Sequence, residues 1–175
     1  MKWHRMIPAC LLLAAIAAGC GTHPAPTAIR TSASDAPVLK AAVAATAQVY
    51  DPVIRPEDFV DSVDNPFFPL VPGTTLRYRQ ATEDGTETDD VTVTKRREII
   101  LGVRTTVVHD QAYLDGVLAE DTFDFYAQHR DGSVWYFGED TKTLDPQGHV
   151  ISTLGSWEAG VDGAKPGIIM LAHPA

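Results

Sequence analysis

TTVVHDQAYLDGVLAEDTFDFY, residues 105–126, is the stretch whose reading decides the fold. Its centre is Asp115-Gly116, a dipeptide that readily supplies the positive φ angles of a tight hairpin turn. Thr105–Tyr113 and Val117–Tyr126 flank it, rich in β-branched and aromatic residues. Two antiparallel strands follow from this pattern. Along the second strand, Val117, Ala119, Phe123, Phe125 and Ala127 share one face, and Asp121 falls in the same register. A carboxylate on a mostly apolar face needs a cation, a route to water at a bulge or edge, or a functional role.

The same punctuation recurs on either side. Asp84-Gly85 is flanked by Leu76–Arg79 and Val91–Thr94, and Asp131-Gly132 leads into Val134-Trp135-Tyr136-Phe137. Alternation places Leu76 and Tyr78 opposite Thr75, Arg77 and Arg79, and Val91 and Val93 opposite Thr92 and Thr94. The expectation is a mainly β domain, an antiparallel meander forming a curved sheet or partial barrel over residues 51–175. Its entry contains Pro52, Pro56 and Pro69, which keep the backbone extended, with Ile54, Phe59, Phe67 and Phe68 as anchors. A fourth pair, Asp162-Gly163, lies in the glycine-rich segment 155–167, which carries Trp157 and Glu158. The apolar run Ile168–Leu171 reads as a buried strand. It pairs either with an earlier strand or with nothing in the chain; the expectation is the second, an incomplete sheet with an open edge and an apolar patch.

The N-terminus gives an address. Lys2 and Arg5 precede an apolar run, Met6–Ala18, that closes on Ala17-Ala18-Gly19-Cys20. The run is shorter than the ~20 residues of a spanning helix, so residues 1–19 read as an export signal. Small residues directly before Cys20 resemble the bacterial lipoprotein cleavage site, with Cys20 acylated; Ala17 stands where such sites usually carry Leu, and plain secretion is the alternative. Two acyl chains on Cys20 would hold the protein to the cell membrane or outer membrane. Residues 20–50, small and Pro/Thr/Ser-rich before an alanine-rich stretch, read as a tether.

The two cysteines are Cys10, inside the signal, and Cys20, so the domain has no thiol and no disulfide. The formal net charge is −9; cleavage before Cys20 would remove Lys2 and Arg5 and take it to −11. Such a surface repels nucleic acid, so no nucleic-acid partner is expected. No cofactor or metal is expected either. His109, His129, His149 and His173 are dispersed, and the acidic stretch Asp84–Asp90 lacks the ligand spacing of an EF-hand. Ser156 sits in no nucleophile elbow, and no phosphate loop is present.

Aromatic residues concentrate in the second half. Phe125, Trp135 and Trp157 are the candidate ligand-binding residues, able to stack on a carbohydrate or hold a small apolar ligand, and they suit a hydrophobic core equally well. The candidate catalytic carboxylates are Asp121 with Glu139 or Glu158, as an acid and base pair of a hydrolase. The sequence thus leaves three readings: a non-catalytic binding or interaction module of the envelope, an extracytoplasmic hydrolase, or a surface scaffold.

The segments NPFFPLVPGT (65–74), VWYFGEDT (134–141) and GSWEAGVDGAKPG (155–167) resemble the signature segments of a family of uncharacterised bacterial secreted or lipid-anchored proteins. The resemblance spans about residues 51–174 and carries no catalytic residue or ligand with it. Members of that family continue for further strands past the position of His173-Pro174-Ala175, which implies a truncated member.

Overall fold

The computed structural model describes residues 50–174. The export signal, the tether and the lipidation position Cys20 lie outside the described residues. Among those described, no helix is long and apolar enough to cross a membrane.

A single turn of 3₁₀ helix, Pro56–Asp58, leads into the short strand β1 (Phe59–Val60). Five long strands follow: β2 (Thr75–Ala81), β3 (Thr86–Ile100), β4 (Val103–Leu114), β5 (Val117–His129) and β6 (Val134–Leu144). They pair consecutively and antiparallel, which makes the expected meander. Three short strands, β7 (Val150–Ser152), β8 (Trp157–Glu158) and β9 (Gly167–Met170), all pair with β6, while β1 pairs with the end of β5. The sheet is not closed into a barrel.

Turn chemistry explains the connections. Asp115 and Gly116 have φ of 50° and 81°, a two-residue turn with both central residues left-handed, between the paired residues Leu114 and Val117. The β3–β4 turn has the same form, with Leu101 at φ 51° and Gly102 at 79°. Leucine in that conformation is uncommon.

Each face of the sheet has its own core. On one, Val103, Val107, Phe125, Ala127 and Phe137 are buried with Ile100 and Ala159, and Ile54, Phe59 and Trp135 pack against them. On the other, Val93, Val108, Tyr126 and Val134 meet Val63, Phe68, Leu70, Ile169 and Met170. Of the anchors expected near the entry, Ile54, Phe59 and Phe68 pack in this way; Phe67 is 57% exposed and does not. Asn65 holds this second layer together. Its side-chain amide donates to the Gly132 carbonyl at 2.8 Å and the Leu171 carbonyl at 3.1 Å, and its backbone N–H donates to Gln128 Oε1 at 2.8 Å.

The run Ile168–Leu171 therefore has a partner. Ile168 pairs with Trp135, and Met170 with Val134. The expectation that the run lacks a partner is corrected by this pairing, and the run is not a buried strand either, since Ile168 and Leu171 stay about half exposed at the sheet edge.

Candidate functional site

Register assigns the faces, because residues directly opposite across antiparallel strands share one. In the first set, Val91, Asp110, Thr122 and Thr141 form one row; Val93, Val108, Asp124 and Glu139 form the next; Asp89, Ala112, Glu120 and Thr143 form a third. Asp89, Asp110, Glu120, Asp124 and Glu139 thus lie on one face, facing aliphatic and threonine neighbours with no cation in these rows. Burial, then the hydrogen bond and charge of Asp89, raises Asp110 to about 9. Burial likewise raises Asp124 to about 7, against a hydrogen bond from Tyr136 that lowers it. Glu120 is raised by burial and by the charge of Glu139. Asp89 Oδ1 is buried with no donor partner among the described residues, and a proton retained on Asp110 relieves that pair.

The opposite face holds its charges differently. Arg77, Asp90, Gln111, Asp121 and Lys142 form one row across five strands. Arg77 Nε lies 3.2 Å from Asp90, and Gln111 Nε2 donates to Asp121 at 3.3 Å. Asp121 Oδ1 is also 2.7 Å from His109 Nε2. This is the partner that a carboxylate on a mostly apolar face needed.

A cleft of about 570 Å³ opens beside the β6–β8 pair, lined in part by Arg96, Phe123, Phe125 and Glu158 from the Asp121 face and by Glu139 and Trp157, which register places on the other. Three irregularities build it. Thr94, Lys95 and Arg96 together stand opposite Val107, a bulge held by the Thr94 hydroxyl donating to the Val107 carbonyl at 2.7 Å and accepting from Arg96 N–H at 3.1 Å. The bulge aims Arg96 over Phe123, with the guanidinium 4.8 Å from the ring centroid. His109 stacks on the same ring at 4.3 Å.

The second irregularity is Phe137, an extra residue in β6 that turns inward and is fully buried. The third is Gly138, at φ 146°, where a Cβ would stand 2.4 Å from the Trp157 carbonyl oxygen. Only glycine lets β8 approach there. That approach sets the edge of the Trp157 indole against Tyr136, 5.3 Å between centroids, and beside Glu139. Burial raises Glu139, and hydrogen bonds from Trp157 and Tyr136 lower it.

Of the residues singled out in the sequence, Phe125, Trp157, Glu139 and Glu158 come together at this cleft. Phe125 is at the same time part of the buried core. Trp135 is not among the lining residues: it packs edge-on against Phe59, and its Nε1 donates to Ser133 Oγ at 3.1 Å. Asp121 and Glu139 lie on opposite faces, since Asp121 pairs with Lys142 and Glu139 with Asp124. That acid and base pair is not assembled. Glu158, opposite Gly138, is in register with Phe125 and so shares the Asp121 face. Sequence reasoning missed Arg96 as a cleft residue, and it missed Asp110, Glu120 and Asp124 on the other face. Among the described residues, no group of three or more His, Cys, Asp and Glu side chains is placed to hold a metal ion.

No protein-family model, curated protein or solved structure matches the chain.

Proposed function

We propose that the domain is a non-catalytic binding module of the bacterial cell envelope, tethered through lipid on Cys20, or secreted if that cysteine is not acylated. It takes a small ligand, a carbohydrate or an apolar molecule, in the cleft beside Trp157. The observation that carries this reading is the presence of Phe123, Phe125, Trp157 and Glu158 in the lining of one open cleft. Flat aromatic walls beside a few polar groups suit a ligand with an apolar face and a hydroxylated edge. The opposite-face placement of Asp121 and Glu139 favours binding over the acid and base chemistry of a hydrolase.

Tryptophan fluorescence of the exported chain, titrated with glucose, its oligomers and an apolar fluorescent probe, tests the reading. A saturable change that is lost in Trp157→Ala supports it. No change with any of these probes overturns it in favour of a scaffold. Turnover of a chromogenic glycoside that is lost in Glu158→Gln overturns it in favour of a hydrolase.

A further inference from the structure

We infer that Trp157, in the wall of the cleft, is held by a proton-sensitive latch made of the Asp124 and Glu139 carboxyls with the Tyr136 hydroxyl as their shared donor. The latch concerns the wall itself and stands whatever ligand the cleft takes.

The parts are in contact. Asp124 and Glu139 stand directly opposite each other on β5 and β6. The Tyr136 hydroxyl donates to Asp124 Oδ1 and lies within hydrogen-bond reach of Glu139 as well. Glu139 also accepts from the indole N–H of Trp157, whose ring meets Tyr136 edge-on at 5.3 Å. Asp124 is 7% exposed, and Tyr126 stacks on the Tyr136 ring at 4.8 Å. The ring is therefore fixed, and the hydroxyl proton is the part that can turn.

One hydroxyl has one proton to give. While the two carboxyls hold a proton between them, every member is satisfied: Asp124 donates to Tyr136, Tyr136 to Glu139, and the indole to Glu139. When that proton leaves, two carboxylates face each other across the strands and compete for a single hydroxyl. The other acids on this face, Asp89 of β3, Asp110 of β4 and Glu120 of β5, add to the repulsion, and Tyr78 of β2 and Tyr126 of β5 are neutral. Arg97 of β3, one row away, donates to the Arg96 carbonyl at 3.0 Å. The segments packed over the face contribute Val63, Phe68, Leu70, Ile169 and Met170, none of which titrates. Glu139 is partly exposed and Asp124 is buried, so Glu139 is the carboxylate that can move out to water. Trp157 then loses its acceptor, and β8, two residues long, does little to hold it. Burial puts Asp124 at about 7, which sets the latch to open as pH rises through neutrality.

Trp135→Phe leaves Trp157 as the one tryptophan past the export signal and makes the background for the test. In the exported chain, tryptophan emission is expected to shift to longer wavelength as pH rises, with a midpoint at about 7. Asp124→Asn and Glu139→Gln should each abolish the shift, and Asp110→Asn should keep it. Tyr136→Phe, which keeps the ring and removes the donor that lowers Asp124, should move the midpoint upward; it carries the test if Asp124→Asn fails to fold. Emission that stays flat through neutral pH overturns the inference. So does a shift that survives Asp124→Asn or Glu139→Gln, a shift lost in Asp110→Asn, or a midpoint that Tyr136→Phe leaves in place.

Discussion

Two faces of the same strands carry similar numbers of acids and treat them in opposite ways. On the face of Asp90 and Asp121, the acids meet an arginine, a histidine and a glutamine amide within 3.3 Å. On the face of Asp110 and Asp124, the register rows offer aliphatic, threonine, tyrosine and acidic neighbours and no cation, so burial and mutual repulsion raise both carboxyls, against the hydrogen bond that Tyr136 donates to Asp124. Charge in the sequence therefore does not equal charge in the fold. One face gives its acids hydrogen-bond and ion-pair partners, and on the other burial holds a proton on Asp110 at neutral pH.

Substitutions can break this contrast, beginning with the apolar floor beneath the compensated face. Phe137 is fully buried there, and Phe137→Ala is expected to lower unfolding free energy by about 3–5 kcal/mol, measured as a shift in urea midpoint. Asp110→Asn acts on the other face and in the other direction. Because the folded pKa is raised to about 9 above an unfolded value of about 3.9, the folded state holds a proton that the unfolded chain has released. The stability this group contributes is complete below the unfolded value and is lost as pH rises through the folded one. Asn cannot ionise, so at about pH 8 the variant should be more stable than wild type by about 1–2 kcal/mol, with the gain fading toward about pH 4. Urea titrations at a series of pH values read both the gain and its slope; a variant less stable than wild type at the alkaline end would overturn the assignment.

Smaller effects sharpen the compensated side. His109 and Asp121 are each about a quarter exposed, and a double-mutant cycle with His109→Ala and Asp121→Asn should give a coupling of about 0.5–1 kcal/mol. Lys142→Ala, which removes a pair with Asp140 at the cleft rim, should change stability by under about 0.5 kcal/mol by the same measurement.

Local features of this contrast were legible and lateral ones were not. Asp115-Gly116 announces its turn because both residues tolerate left-handed backbone, and alternation places Asp121 with Phe123 and Phe125. Leu101-Gly102 makes a turn of the same form without the signature, since leucine is a poor advertisement for positive φ. Asp110 and Asp124 each read as one polar residue in an alternating strand. Their proximity depends on which strand lies beside which, and in what register, and single-strand periodicity holds no information on that. The Thr94–Arg96 bulge is hidden for a related reason: its two extra residues leave the alternation in phase, so Val93 and Arg97 still share a face and the period of the run does not mark the break. It is the device that delivers Arg96 to the cleft.

Asn65 has a consequence for the order of events when the chain folds. The hairpins from β2 to β6 join near neighbours in sequence, whereas this one side chain reaches Gly132, 67 positions away, and Leu171, 106 positions away. Contacts of such long range must wait for the intervening chain, so in a protein synthesised from its N-terminus the residues around Asn65 are made early and satisfied last. A lock that closes after the rate-limiting barrier governs how slowly the structure comes apart more than how fast it forms. Asn65 is in this sense a timer on unfolding, set by the arrival of Leu171 just past β9.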